Sequence, residues 1–259
     1  MDLKLKGKTV IVTGATSGIG EAIALAFGEE GANVVAVGRS EERGAEVVAK
    51  LEAKGTVPMF IKADLVEEAA CKNVIDQALS TFGKIDVLVN NAGHNDSKGL
   101  DSSPADFMNS IKKNLFHYFA LVHYAKKALI ASKGNIVNIG SKVANTGQGG
   151  TSGYAASKGG VQALTREWAV EFLPYQVRVN EVIPAEAWTP LYERWVNSFD
   201  DPGAKLESIN SKIPFGKRMT TSEELADMVL FLASGRASHI TAQHIFVDGG
   251  YTHLDRSIT

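Results

Sequence analysis

From Thr9 to Phe27 the chain passes from an apolar strand through a glycine loop into a helix, and few folds accommodate that order. Thr9-Val10-Ile11-Val12-Thr13 has no polar alternation, the pattern of a parallel strand buried on both faces. It runs into Gly14-Ala15-Thr16-Ser17-Gly18-Ile19-Gly20, and Glu21 to Phe27 reads as a helix. Glycines let a backbone approach a ligand closely, and a helix start offers unpaired N–H groups and a positive dipole end. The loop, with Gly14, Ser17, Gly18, Ile19 and Gly20, therefore reads as a pyrophosphate cradle. Its spacing is Gly-x-x-x-Gly-x-Gly rather than Gly-x-Gly-x-x-Gly. A glycine-rich turn without a ligand is the bland alternative, and the flanking strand and helix argue against it.

The second strand, Asn33 to Val37, ends in Gly38-Arg39-Ser40. An acidic residue here would bind an adenosine ribose; Arg39 instead offers a cation suited to a 2′-phosphate, which favours NADP and leaves NAD open. A solvated surface arginine is the other reading. A helix over 41–54 leads to the strand Val57 to Ala63, with Asp64 and Leu65 at its end to meet the adenine ring. A helix over 69–82 returns to Ile85–Val89, followed by Asn90-Asn91-Ala92-Gly93, whose small residues allow close approach to the cofactor. Helical patterning runs from Pro104 to about Ala131 with a break, and it contains Asn114, either satisfied by its neighbours or holding a water.

Next comes a buried strand through Ile139 that ends in Ser141, and after a glycine-rich loop a helix opens at Tyr154. Lys158 lies at i+4 on the same face. A phenol, with pKa near 10, is a poor base at neutral pH, and a nearby cation lowers that value. Ser141 can hydrogen-bond the same substrate oxygen. An ordinary helix-surface pair is the commoner meaning of Tyr-x-x-x-Lys, so the case rests on the rest of the chain. Val177–Ile183 is the sixth strand, ending at Pro184; Thr221 to Glu224 is a capping box before the helix 225–232, and His244 opens the last strand. Alternating strands and helices predict an α/β fold with a doubly wound parallel sheet.

The 259 residues, 44% hydrophobic and with no linker or repeat, predict one domain over 1–259. A formal net charge of −2 points to neither nucleic acid nor an anionic membrane. One cysteine, Cys71, rules out an internal disulfide and reads as a structural thiol in a helix. No signal peptide or membrane-length apolar run is evident, so a cytoplasmic protein is expected. The six histidines have no ligand spacing, so no metal is expected.

Thr13-Gly14-x-x-x-Gly18-Ile19-Gly20, Asn90-Asn91-Ala92-Gly93, Asn114, Ser141 and Tyr154-x-x-x-Lys158 resemble, in order and spacing, the short-chain dehydrogenase/reductases, over essentially the whole chain. The resemblance implies a Rossmann-type domain with a seven-stranded parallel sheet and an Asn–Ser–Tyr–Lys tetrad. In it Tyr154 is the acid/base and Ser141 orients the substrate oxygen. Lys158 binds the ribose and lowers the tyrosine pKa, and Asn114 holds a relay water. The resemblance also brings Pro184, Ala187 and Thr189 to the cofactor, the Ala187 backbone at the carboxamide and Thr189 near the phosphates. Ala185 departs from the usual Pro-Gly. A substrate-closing segment over about 185–215 is implied, as is a homotetramer built from the helices of Asn114 and Tyr154 and the last strand.

Within the family the chain is most similar to bacterial L-fucose dehydrogenases. Asn95-Asp96, Thr146-Gly147-Gln148-Gly149, Thr165 to Ala169, Ile183-Pro184-Ala185-Glu186 and Gly249 to Arg256 carry this. It implies oxidation of the C1 hydroxyl of an aldose to a lactone. A reductase of oxoacyl or steroid-like ketones and a non-catalytic nucleotide sensor are the rival readings. Asn95, Gln148 and Glu186 would meet the sugar hydroxyls. Trp188, Leu191, Tyr192 and Trp195 read as one helix face, with Trp188 and Tyr192 covering the sugar ring and Trp195 in the core or a subunit contact.

Overall fold

The computed structural model describes residues 2–255; Met1 and residues 256–259, which include Arg256 of the C-terminal motif, lie outside the described residues. The strands are β1 (Thr9–Thr13), β2 (Asn33–Gly38), β3 (Met59–Lys62), β4 (Val87–Asn90), β5 (Asn135–Ile139), β6 (Arg178–Pro184) and β7 (His244–Val247). They form one sheet in the order β3-β2-β1-β4-β5-β6-β7, every adjacent pair parallel. The winding reverses between β1 and β4, where the carboxyl ends of the strands open a crevice.

The helices are α1 (Gly18–Glu29), α2 (Glu41–Glu52), α3 (Glu68–Phe82), α4 (Pro104–Ile111), α5 (His117–Ser132), α6 (Ser152–Phe172), α7 (Pro190–Val196), α8 (Pro202–Asn210) and α9 (Ser222–Ala233). Successive strand residues point to opposite faces, so the apolar runs feed two cores. Ile11, Val35, Leu88 and Ile136 pack under α3, α5 and α6 with Cys71, Leu121 and Trp168. Val10, Val12, Val34 and Val137 pack under α1, α2 and α9 with Phe27, Leu51 and Val229. Each fully buried side chain of this kind contributes about 1.5–3 kcal/mol. No helix among the described residues is long and apolar enough to cross a membrane.

Five expectations change or sharpen in detail. The third strand begins at Met59, not Val57, because Pro58 has no N–H for the ladder. The break in the Pro104–Ala131 segment is a π turn over Lys112–Phe116, and Asn114 sits inside it. Helix α1 begins at Gly18, so the glycine loop supplies its first turn. Trp188 is not on the helix face with Leu191, Tyr192 and Trp195, because Thr189 caps α7 and Pro190 starts it. Trp195 is not in the core: it is 45% exposed and meets Tyr192 and Phe199 edge-on.

Candidate active site

The crevice is shaped by the ends of β1 and β4. Thr13 Oγ1 accepts from the Asn91 and Ala92 N–H groups at 2.9 and 3.0 Å, and the Asn91 amide donates to the Thr13 carbonyl at 2.8 Å. These bonds press the Asn90–Gly93 turn onto Gly14. A Cβ on Gly14, whose φ is +66°, would lie 2.9 Å from the Asn91 amide nitrogen. Gly20 packs the start of α1 against the Gly14 carbonyl, where a Cβ would lie 2.2 Å from the oxygen. Ser17 is the N-cap of α1 and its side chain makes no capping bond, which leaves the helix N–H groups without a side-chain acceptor. Gly18, at φ +57°, faces Thr189 across the loop, a Cβ there meeting that side chain at 3.4 Å. This cradle fits a dinucleotide pyrophosphate, with Gly14, Ser17, Gly18, Ile19 and Gly20 on one side and Thr189 on the other.

Around it, Arg39 is exposed at the end of β2 and makes no hydrogen bond or ion pair among the described residues. Its charge reaches His94, whose imidazole is held below its ordinary value mainly by burial, with smaller contributions from Lys113 and Arg39. Asp64 is exposed and Leu65 buried beside it. Pro184 ends β6, and Ala187, buried, bridges to Thr220.

Ser141 follows β5 and caps a short 3₁₀ turn, accepting from Val143 N–H. Its hydroxyl lies close enough to the Tyr154 phenol to favour the ionised form. Burial pushes that phenol up to about 12, and Ser141 works the other way. Lys158, 2% exposed, donates to the Ile139 carbonyl at 2.7 Å and to the Tyr118 hydroxyl at 3.0 Å. Burial lowers its ammonium to about 8. Burial outweighs the lowering expected from Lys158, so the net shift of the Tyr154 phenol is upward. The ammonium lies 5.7 Å from the Tyr154 ring centroid and gives two of its three donors to Ile139 and Tyr118. Tyr154 is accordingly a protonated phenol at neutral pH, poised as an acid, and must shed a proton before it can act as a base.

Asn114 is fully buried. Its Oδ1 accepts from His94 N–H at 2.8 Å and its amide donates to the Ser110 carbonyl at 3.0 Å. Its Oδ1 thus ties the Gly93–His94 loop to the π turn, while its amide anchors it to the end of α4.

Of the residues expected at the sugar, Glu186 and Tyr192 come together, and Asn95 and Gln148 lie in neighbouring loops. The Tyr192 hydroxyl donates to Glu186 Oε2 at 2.7 Å, and burial plus that carboxylate hold the phenol protonated, far above its ordinary value. Glu186 Oε1 is paired with the ammonium of Lys142, which also lies 3.9 Å from the Tyr251 ring centroid. Asn95 is exposed and its Oδ1 accepts from Ser97 N–H; Gln148 is exposed. Their loops pack together, with Gly99 against Gly150 and Gly153 N–H donating to Lys98. Trp188 is 38% exposed at the mouth of the site. Lys142 and Tyr251 were missed. The signal for Lys142 was available: a lysine directly after Ser141, in a run that is otherwise buried.

A family model described as enoyl-(acyl carrier protein) reductase matches residues 14–252. The chain is 37% identical over 249 residues to an L-fucose dehydrogenase of Rattus norvegicus, covering 95% of this chain and 90% of that one. It is 37% identical over 251 residues to the 3-oxoacyl-acyl-carrier-protein reductase FabG of Thermotoga maritima, covering 96% and 99%. Among solved structures, the Cj0485 dehydrogenase has a TM-score of 0.94 at 41% identity, with 99% of this chain and 98% of that one covered. The aldohexose dehydrogenase of Thermoplasma acidophilum has a TM-score of 0.88 at 32% identity, with the same coverage. The chain belongs to the short-chain dehydrogenase/reductase family. It is an NAD(P)-dependent oxidoreductase, and relatives named for a sugar and for an oxoacyl thioester match it equally well.

Proposed function

We propose that the chain oxidises the C1 hydroxyl of an aldose such as L-fucose to the lactone. The observation that carries this is the Lys142–Glu186–Tyr192 group directly beside Ser141, a set of charged and hydroxyl partners that suits a polyhydroxylated ligand. The names of the rat and Thermoplasma relatives agree with it. In this reading Ser141 holds the C1 oxygen, and the ionised Tyr154 takes the hydroxyl proton as the C1 hydride leaves and the carbonyl forms. Lys158 holds the cofactor ribose, and Asn114 fixes the loop that shapes the site. The cofactor supplies the hydride acceptor, and the positive charge of its oxidised ring favours phenolate. Glu186, with Gln148 and Asn95 from the facing loops, reads the sugar hydroxyls, and Trp188 and Tyr192 cover its C–H face.

The unpaired Arg39 supports NADP as the preferred cofactor, with Pro184, Ala187, Thr189, Asp64 and Leu65 completing its contacts. Exposed Phe119, Val170 and Leu173 on and beside α5 and α6 support a homotetramer, and the segment over about 185–215, built from α7 and α8, supports closure over substrate. A second reading, reduction of an oxoacyl ketone, is favoured by the protonated Tyr154 and the FabG match. The test is a panel of aldoses with NADP and NAD, run beside reduction of a β-ketoacyl thioester, with products identified by mass. Aldonate or lactone formation from L-fucose, faster with NADP, is expected. Faster turnover of the ketone than of any aldose would overturn the sugar reading, and a higher kcat/KM with NAD would overturn the role of Arg39.

A further inference from the structure

Glu181 is fully buried on β6, the last place a lone carboxylate is stable in water-free surroundings. Its register neighbours are Asn138 on β5 and His244 on β7. Glu181 Oε2 is hydrogen-bonded to His244 Nδ1, and His244 Nε2 lies 2.6 Å from the exposed guanidinium of Arg166 on α6. A guanidinium can only donate, so Nε2 accepts, the imidazole proton is on Nδ1, and it points at Glu181. The imidazole thus bridges the Glu181 carboxylate inside and the Arg166 guanidinium outside.

The other carboxylate oxygen, Oε1, has no hydrogen-bond partner among the described residues. It lies against Gly140, where a Cβ would come within 2.1 Å of it, so only glycine leaves it room. The peptide that joins Gly140 to Ile139 carries the carbonyl to which Lys158 donates at 2.7 Å. One peptide unit thus separates an uncompensated carboxylate oxygen from the buried ammonium of the candidate site. Burial pushes the Glu181 carboxyl above its ordinary value, and His244 from β7 with Lys158 and Arg166 from α6 oppose that rise. Lys158 is faced by Tyr118 and His117 from α5, Tyr154 from α6 and Glu181 from β6.

We infer that Glu181 is a positioning residue for Lys158: across the Ile139–Gly140 peptide its carboxylate keeps the ammonium charged, and His244 with Arg166 keeps the carboxylate ionised. Burial alone drives the Lys158 ammonium toward the neutral amine, and Glu181 is the one group opposing it. Without that carboxylate Lys158 loses its proton at lower pH and becomes a weaker donor to the cofactor ribose.

The inference rests on the proposed contact of Lys158 with the cofactor and is independent of the sugar. The test is the dissociation constant of NADPH from pH 6 to 9, with NADH in parallel because its pyrophosphate does not titrate there, read by tryptophan fluorescence. In the wild type the constant rises as Lys158 loses its proton near pH 8. In Glu181→Gln the rise is centred about one pH unit lower, from a charge interaction of order 1 kcal/mol across the peptide. The two proteins then bind alike at pH 6, and the variant binds several-fold more weakly near pH 7.5. His244→Gln, on the partly exposed edge strand, shifts the rise in the same direction and carries the test if Glu181→Gln does not fold. A purely structural role would weaken binding by one factor at every pH. That result, or an unmoved midpoint in both variants, overturns the inference. Wild-type binding by Lys158→Met at all pH values would overturn it at its premise.

Discussion

Removing Glu186 leaves the Lys142 ammonium buried without its carboxylate, and the structure sets the cost. The two side chains are only 9% and 16% exposed. Breaking a buried pair by removing one partner costs about 3–5 kcal/mol. Lys142 retains the Tyr251 face, worth about 0.5–2 kcal/mol, and the wall of the site is open to some water. Glu186→Ala should therefore destabilise by about 2–3 kcal/mol, a fall in Tm of roughly 4–12 °C for a chain of this size. Lys142→Met alone frees the carboxylate but leaves it the Tyr192 hydroxyl, so the loss is smaller. Combining the two should restore much of the stability, with a coupling of about 2 kcal/mol in a double-mutant cycle followed by urea unfolding. The same variants should raise KM for L-fucose while NADPH affinity stays near wild type, because a hydrogen bond lost at a bound hydroxyl costs about 1–3 kcal/mol. Strictly additive stability losses with unchanged sugar kinetics would refute both the buried pairing and its part in recognition.

Two further outcomes follow from buried or strained groups. His117 is 1% exposed and burial holds its imidazole down at about 4, against an ordinary 6.5. The unfolded chain binds the proton first, so this group's stability is present above pH 6.5 and is lost as the pH falls toward 4, about 3 kcal/mol in all. His117→Asn should flatten the dependence of unfolding free energy on pH across that window, and an unchanged slope would contradict it. Ala242 has φ +61°, a conformation costing an L-residue about 1–2 kcal/mol. Ala242→Gly should raise stability by about 0.5–1 kcal/mol after the entropy cost of glycine, seen as a higher Tm; a lower Tm would refute the strain.

The sheet could be read from the chain because parallel strands buried on both faces leave unbroken apolar runs, as in Val10–Val12 and Val34–Val37. The cofactor cradle was equally plain, since it is built from consecutive glycines in one loop. The sugar-facing group was only half visible. Glu186 and Tyr192 lie in one short segment, whereas their partner Lys142 comes from a strand end 44 residues earlier, and no local pattern encodes that meeting. The net direction of the Tyr154 shift was hidden for a related reason, because the burial that sets it comes from distant parts of the chain. The i+4 spacing brings Lys158 to the same face, but it does not reveal that the Ile139 carbonyl and Tyr118 hydroxyl claim the ammonium. The π turn at Asn114 has no sequence mark beyond a break in periodicity.

The central claim is that Tyr154 moves the proton in hydride transfer. It is tested most directly by steady-state turnover of L-fucose with NADP in Tyr154→Phe, beside NADPH binding by the same protein. With the phenol at about 12 in the free chain, wild-type oxidation should quicken as the pH rises from 7 to 9. Tyr154→Phe should bind NADPH normally and lose turnover by about 10²–10⁴-fold across that range. Turnover within a few-fold of wild type at every pH would contradict the account.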